Sequence, residues 1–114
     1  MGEMDPFERQ RLVGRVNMRV PVEVRTIGAG GGPVEEITYT GVVGVLGAMV
    51  RMSRALEIGT EVELTNRFSQ RTAKFRVVWV KAQQDGGFWE IGIQSVQPLG
   101  DFWGVRFPPR PDMR

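Results

Sequence analysis

Two arginines four residues apart, Arg11 and Arg15, are the residues of this sequence best suited to bind an anion. They lie in a basic segment, residues 9–19, that begins with Arg9 and ends with Arg19. A guanidinium is a planar fork of N–H donors that fits phosphate oxygens and the O6/N7 edge of guanine. The segment therefore predicts a site for a phosphate or a guanine base. A solvated basic arm is the simpler interpretation of any charge run.

A second element with anion-binding chemistry is the glycine-rich stretch TGVVGVLGAMVRM, residues 40–52. Its three glycines are Gly41, Gly44 and Gly47, between two runs that alternate like β-strands. We interpret the stretch as a strand, a corner and a second strand. Backbone N–H groups in such a corner can form a concave anion site. If the corner and the basic segment meet in the fold, they predict one joint anion site. If they do not meet, the sequence predicts little more than a fold.

Composition excludes several classes of chemistry. The 114 residues fit one domain with one core. There is no cysteine and no histidine, which excludes a disulfide framework, a thiolate metal site and a Ser-His-Asp triad. No pair of acids has the spacing of a catalytic site, so the chain is not expected to be an enzyme and no cofactor or metal is expected. Of the 15 basic residues, 13 are arginine and two are lysine. The 13 acidic residues reduce the net charge to +2.

The organisation along the chain is that of one small domain. Residues 1–8 are charged and are expected to form a flexible leader, residues 9–109 the domain, and residues 110–114 a short tail. No apolar run approaches the roughly 20 residues needed to span a bilayer, and the N-terminus lacks the apolar core of a signal peptide. The expected location is the cytoplasm.

Period-2 alternation predicts an all-β fold. A GAGGGP loop at residues 28–33 and an Asp85-Gly86-Gly87 turn separate strand-like runs, Gly59 closes another turn, and no helix longer than two turns is predicted. The pattern indicates a small antiparallel barrel or sandwich, and closure is favoured because it removes exposed edges. The six predicted strands are residues 18–25, 35–43, 46–53, 61–68, 72–81 and 88–96.

The alternation also predicts which side chains face the core. Inward positions begin with Val20, Val22 and Val24. Val78 and Val80 indicate that the far end of their strand is covered on both faces. An apolar cluster near the C-terminus is expected to cap one end of the domain, and it consists of Phe102, Trp103, Val105 and Phe107. Further predicted inward positions are Leu46, Ala48, Val50, Met52, Val62, Leu64, Ala73, Phe75, Val77, Trp79, Trp89, Ile91 and Ile93.

In order and spacing, these features resemble the PilZ domain, a bacterial six-stranded barrel that serves as a receptor for cyclic di-GMP. Arg11-x-x-x-Arg15 stands ahead of the first strand, where the family has its RxxxR segment, and VPVEV follows. The stretch VGVLGAMVRMSRALEIGTEVEL is similar to the family's second motif and its following strand. FRVVWV with DGGFWEIGIQSV is similar to its last hairpin, and PLGDFWGVRFPP to the aromatic end of short single-domain members. The resemblance covers about residues 9–109 and implies a six-stranded antiparallel PilZ-like β-barrel with a short C-terminal aromatic cap.

The resemblance also implies a ligand site, with one departure from the family. Its second motif is D/N-x-S-x-x-G, which falls on residues 42–47 and leaves Val42 at the acid or amide position. The ligand-binding residues implied for cyclic di-GMP are therefore Arg11, Arg15, Gly44 and Gly47. Arg9 and Arg19, which the motif does not place, are close enough in the chain to assist. Only Gly47 keeps the motif's residue type, since Gly44 occupies the serine position and offers a backbone N–H. Two lost polar partners cost about 1–3 kcal/mol each. Binding is thus expected to be weak or lost.

Two functional interpretations remain open at this point. One is a regulatory module of the cyclic di-GMP receptor class, with the RxxxR segment holding the nucleotide. The other is a PilZ-like protein–protein interaction adaptor that no longer binds the ligand. Its support is the degenerate corner together with four aromatic side chains. These are Phe88, Trp89, Phe102 and Trp103.

A nucleic-acid binder similar to an OB-fold ranks third, because no face interleaves basic and aromatic residues.

Overall fold

The computed structural model describes residues 15–26, 34–82, 86–97, 99 and 101–104. These residues form seven β-strands and no helix. Arg9, Arg11, the leader at residues 1–8, the loop at residues 28–33, the tail at residues 110–114 and the cap residues Val105 and Phe107 lie outside the described residues. The strands are β1 (Val16–Asn17), β2 (Pro21–Thr26), β3 (Glu35–Val43), β4 (Gly47–Met52), β5 (Glu61–Asn66), β6 (Thr72–Ala82) and β7 (Trp89–Ser95).

Strands β2 to β7 form a closed six-stranded antiparallel barrel, and β1 is one extra strand attached to β3. Two consecutive meanders build the barrel, β2-β3-β4 and β5-β6-β7. They join along two antiparallel seams, β2 with β5 and β4 with β7. The predicted all-β class and barrel closure are confirmed, and the short strand β1 is an addition to the six predicted strands.

The core follows from the alternation of the strands. Val22 and Val24 of β2 point inward and are fully buried, whereas the alternate residues Glu23 and Arg25 lie on the outer surface. Every strand of the barrel contributes apolar side chains to this single cluster. The buried members are Val20, Val22, Val24, Val43, Ala48, Val50, Met52, Val62, Leu64, Phe75, Val77, Ile91, Ile93, Phe102 and Trp103.

Two β-bulges bend the barrel wall. In β3 the register with β4 shifts between Thr40 and Val42, and in β6 the register with β7 shifts between Val77 and Trp79. The second bulge reverses the alternation, so Trp79 does not point into the core as predicted. It instead covers Gly92, where a Cβ would overlap the indole ring. This strand end is half-buried rather than covered on both faces.

An aromatic cap closes one end of the barrel, as the sequence predicts. Phe102 and Trp103 are each 3% exposed, and their ring centroids lie 5.8 and 6.1 Å from that of Phe75. The Asn66 side-chain amide donates to the Phe102 carbonyl at 2.9 Å, and Arg71 forms an ion pair with Asp101. Asn66 also accepts from the amides of the β5–β6 turn, so one side chain orders both the turn and the cap. Among the described residues there is no helix that could span a membrane.

Candidate functional site

Strands β1 and β2 behave as one interrupted strand along the same edge of β3. Pro21 pairs with Tyr39, and further along the same edge Val16 pairs with Val43. If the β2 register continued, Asn17 would pair with Val43. Asn17 pairs instead with Val42, so the register slips by one residue between the two strands. The chain segment ahead of the barrel is therefore held against β3 by backbone pairing.

The side chain of Thr40 fills the break in this ladder. Its hydroxyl accepts from the amide of Val20 at 2.9 Å and donates to the carbonyl of Met18 at 2.7 Å. Thr40 is 1% exposed, so both bonds are shielded from water. The Thr40 amide also donates to the Val20 carbonyl at 3.0 Å. One buried hydroxyl thus replaces the two backbone partners that the register slip removes.

The register brings Arg15 to the glycine corner. Asn17 pairs with Val42 and Val16 with Val43, so the same register continued by one residue places Arg15 level with Gly44. Arg15 is half-buried. Of the two arginines predicted as the principal ligands, the structure describes only Arg15, and it lies beside the corner.

The corner is a two-residue hairpin turn in which both backbone groups of Gly44 are already engaged. The amide of Gly44, which the sequence offers as an anion donor, donates to the Gly47 carbonyl at 2.8 Å. The Gly44 carbonyl accepts from the indole N–H of Trp103 at 3.2 Å. At the tip, Val45 and Leu46 are exposed, so the prediction that Leu46 points into the core is wrong. The corner is therefore a packed turn tied to the cap, and its Gly44 donor is used internally.

Gly47 has a steric role in this corner. A Cβ there would overlap the carbonyl oxygen of Ile93 and would lie 3.0 Å from the Cα of Gln94. Its φ is not in the left-handed region, so the close approach of β4 to β7 is the reason that glycine is needed. Gly47 is the one position that matches the PilZ motif. The close approach of the two strands is sufficient to explain glycine there, and no contact to a ligand is needed.

Val42 lies on the outer face of the barrel in an apolar setting. It pairs with Asn17 on one side and Met49 on the other, and both Val42 and Met49 are 7% exposed. Gly41 precedes Val42 in the bulge, and a Cβ there would lie 2.6 Å from the terminal methyl of Met49. The surface beside the corner is thus apolar at the position where the PilZ motif has a polar side chain.

Arg19, which the sequence predicts to assist binding, lies over the ring of Tyr39. Its guanidinium carbon is 4.3 Å from the ring centroid, within the range of a cation–π contact. Both side chains are exposed, Tyr39 by 44%. In the sequence, Tyr39 belongs to the predicted strand of residues 35–43 and matches no binding motif. Its alternation with Thr38 and Thr40 is the signal that it faces outward.

A second arginine, which the sequence analysis did not select, approaches the same surface. Thr40 pairs with Val50, so Arg51 is level with Tyr39 on the adjacent strand. The Arg51 carbonyl accepts from the Thr38 hydroxyl, and its Nη2 would lie 3.6 Å from a Cβ on Gly41. Arg19, Tyr39, Gly41 and Arg51 thus share one outer patch, next to the corner.

Elsewhere on the barrel three arginines are paired with acids. Arg25 pairs with Glu63, Arg76 with Glu61 and Arg71 with Asp101. The hydrogen bond and negative charge of Glu63 raise the pKa of Arg25 above its ordinary value. Within the described residues no ion pair involves Arg19 or Arg51. Two positively charged groups without a salt bridge to a described acid are therefore present near Tyr39, and Glu90 is opposite Arg51 in register.

Two further features bear on chemistry. An open cleft of about 290 Å³ lies beside the cap. The residues that line this cleft are Arg71, Thr72, Ala73, Gln97, Leu99 and Phe102. In the part of the chain that the structure describes, no group of three or more acidic side chains could hold a metal ion.

No protein-family model matches this chain, and no curated protein matches its sequence.

Proposed function

We propose that this domain is a cytoplasmic PilZ-like regulatory module that binds cyclic di-GMP weakly on the outer face beside the glycine corner. The observation that carries the proposal is the pairing of β1 with β3, which places Arg15 level with Gly44. The basic segment and the corner therefore meet, as a joint anion site requires. Arg15 and Arg11 hold the ligand in this proposal, Arg19 assists, and residues 44–47 lie beneath it.

The geometry supports contact through side chains rather than through the corner's backbone. The Gly44 amide already donates to the Gly47 carbonyl within the turn, and the Val42 side chain has no group that could form a hydrogen bond with a base or a phosphate. Guanidinium groups on the rim must supply the polar contacts. Each bidentate contact to a base contributes roughly 1–3 kcal/mol, and a factor of ten in affinity corresponds to about 1.4 kcal/mol. Two or three such contacts support a dissociation constant between micromolar and millimolar.

The regulatory step proposed is the docking of the segment that contains Arg15. Strand β1 has only two residues and pairs only with β3 among the described strands. A ligand that bridges Arg15 and the barrel favours the docked form, because it binds that form alone. A protein partner would then recognise the docked segment.

Calorimetric titration with cyclic di-GMP tests the proposal. The wild type is expected to bind with a dissociation constant below about 1 mM at moderate salt, and Arg15→Gln is expected to weaken binding at least about tenfold through loss of one bidentate contact. Arg54→Gln is the control, because it makes the same change at an exposed arginine that lies beyond the opposite end of β4. The midpoint of thermal unfolding shows whether Arg15→Gln leaves the fold intact.

The outcomes separate the alternatives. No heat from the wild type at low and at moderate salt would contradict a cyclic di-GMP receptor. Equal affinities of Arg15→Gln and the wild type would move the site away from β1. If Arg15→Gln unfolds, the arginine is structural and its assignment as a ligand is wrong.

A protein-interaction adaptor is the second candidate. The observation in its favour is that Ile37 and Tyr39, two residues apart on the outer face of β3, are 58% and 44% exposed. Exposed apolar and aromatic side chains beside arginine have the composition of interface hot spots. Absence of nucleotide binding, with loss of partner binding in Ile37→Glu, would favour this function.

A further inference from the structure

The pair Arg19 and Tyr39 has a geometry that neither the basic segment nor the corner explains. An exposed arginine side chain has many rotamers available, and the cation–π contact favours the one that lies over the ring, which makes this position a specific feature of the face. The guanidinium carbon of Arg19 lies over the tyrosine ring, 4.3 Å from its centroid. Because Arg19 is exposed, the guanidinium is also accessible to a ligand.

We propose that Arg19 and Tyr39 form a stacking platform for a purine base of a nucleotide, and that Arg51 takes the adjoining phosphate. This inference rests on the proposed function, since it names the residues that receive one guanine of the dinucleotide. A planar base can stack on a guanidinium that already lies on an aromatic ring, because both arginine faces attract π-systems. The ring holds Arg19 in place, so little side-chain freedom is lost when the base arrives.

The neighbouring residues provide space and charge for the rest of the nucleotide. Gly41 is two residues from Tyr39 on β3, roughly 6–7 Å along a strand, and it has no side chain. Arg51 reaches over Gly41 from β4, which places a second cation beside the platform. Glu90 is opposite Arg51 in register, but no ion pair joins them. A base on Arg19 therefore has a flat, basic surface beside it for a phosphate.

The face favours a nucleotide over a protein partner. Ile37 is exposed on the same strand, but its cross-strand neighbour in β2 is Glu23, which is half-buried. Around Tyr39 the neighbours are instead Pro21, Arg19 and Arg51. Charge and planarity are thus concentrated at the tyrosine and not at the isoleucine.

The test uses defined probes and the only tyrosine of the chain. The ring protons of Tyr39 are followed by NMR during titration with GMP, with ribose 5-phosphate and with cyclic di-GMP. GMP and cyclic di-GMP are expected to shift these signals, whereas ribose 5-phosphate, which has no base, is expected to bind at least about tenfold more weakly. Base stacking contributes roughly a factor of ten or more per base.

Variants then locate the base. Arg19→Gln and Tyr39→Leu are expected to weaken GMP about tenfold, measured on backbone amide signals, and Tyr39→Phe is expected to retain binding because it keeps the ring. Ile37→Ala and Arg54→Gln serve as controls and are expected to change nothing. Tyr39→Phe also guards against misfolding, because it changes a single exposed hydroxyl.

Each outcome bears on one proposal or the other. Equal binding of GMP and ribose 5-phosphate would reduce the platform to a simple anion patch, and equal binding by wild type and Tyr39→Leu would place the base elsewhere; both results overturn the platform. Cyclic di-GMP binding that depends on Arg15 but not on Tyr39 would overturn the platform and leave the proposed function intact. GMP binding that depends on Tyr39, without binding of cyclic di-GMP, would do the reverse. No binding of any nucleotide would overturn both and leave the face around Tyr39 as a surface for a protein.

Discussion

Thr40 is a buried hydroxyl on which the position of the basic segment depends. It bonds the Val20 amide and the Met18 carbonyl at the point where the ladder between β2 and β1 is interrupted. Valine has nearly the same shape but cannot form either bond. A buried N–H or carbonyl without a partner costs about 1–3 kcal/mol.

Thr40→Val is therefore expected to lower the free energy of unfolding by about 2–4 kcal/mol, because two backbone groups lose their partner. Urea denaturation followed by tryptophan fluorescence measures this change. Thr65→Val is the matched control, since the Thr65 hydroxyl bonds only that of Thr72 on the outer surface, and it should change the free energy by less than about 0.5 kcal/mol. Equal effects of the two variants would show that the two hydrogen bonds of the Thr40 hydroxyl do not stabilise the fold.

Among the elements, β3 makes the largest set of connections. It pairs with β1 and β2 along one edge and with β4 along the other, and its register with β4 shifts at the bulge around Gly41. Bulges bend a strand and increase its twist, which a small barrel requires at its corners. The strand that closes the barrel thus also carries the outer patch around Tyr39.

The approach of β4 to β7 gives a prediction at this scale. Gly47→Ala is expected to destabilise the domain by about 1–3 kcal/mol, because the new methyl group meets the β7 backbone at Ile93, which cannot move alone. Gly41→Ala is the control: its methyl meets only the flexible end of Met49, so a smaller loss is expected. Thermal unfolding of both variants measures the difference. A loss in Gly41→Ala as large as that in Gly47→Ala would mean that strand bending, and not close approach, requires the glycines.

For the molecule as a whole, charge is divided between two sides of the barrel. On the outer face of β2, β5 and β6, Glu63 lies between Arg25 and Lys74 in register, and Arg76 pairs with Glu61. Exposed pairs of this kind contribute little to stability, but they neutralise that face. On the side formed by β3 and β4, Glu35 and Glu36 lie at the start of β3, and the positive charges of Arg19 and Arg51 lie at the patch around Tyr39, where they would attract an anionic ligand.

The cap connects this functional side to the interior. Trp103 packs against Phe102 at a centroid distance of 4.8 Å and donates its indole N–H to Gly44. Trp103→Phe is expected to cost about 1–3 kcal/mol of stability, since it leaves the buried carbonyl of Gly44 without this donor. Trp89→Phe, at the opposite end of the barrel, is a comparison in which Gly44 keeps its bond. If denaturation curves show that Trp103→Phe matches the wild type, the indole hydrogen bond is dispensable.

Much of this fold can be predicted from the sequence because strand alternation is a local signal. The bounds of β3 are the predicted ones, and Val22 and Val24 are buried as expected. The positions that differ depend on distant contacts. Leu46 is exposed because a two-residue turn interrupts the alternation, and Trp79 faces outward because of a bulge that no local pattern marks.

The candidate site is less predictable than the fold for the same reason. Arg15 and Gly44 are 29 residues apart in the chain, and only the pairing of β1 with β3 brings them level. Strand β1 is too short to show alternation. The contact of Arg19 with Tyr39 depends on the slip in register between β1 and β2, which is a property of the assembled sheet.

The two-meander construction has a kinetic consequence. Each meander can form from hairpins between neighbours in the chain, on a microsecond scale. The seams cannot, because the β2–β5 seam joins Val22 to Asn66, 44 residues away, and neither half can bury its inner face alone. Loop-closure entropy must be overcome before either seam stabilises the chain. Zipping the two halves together is therefore the slow event of folding, and the barrel should mature in milliseconds to seconds rather than microseconds.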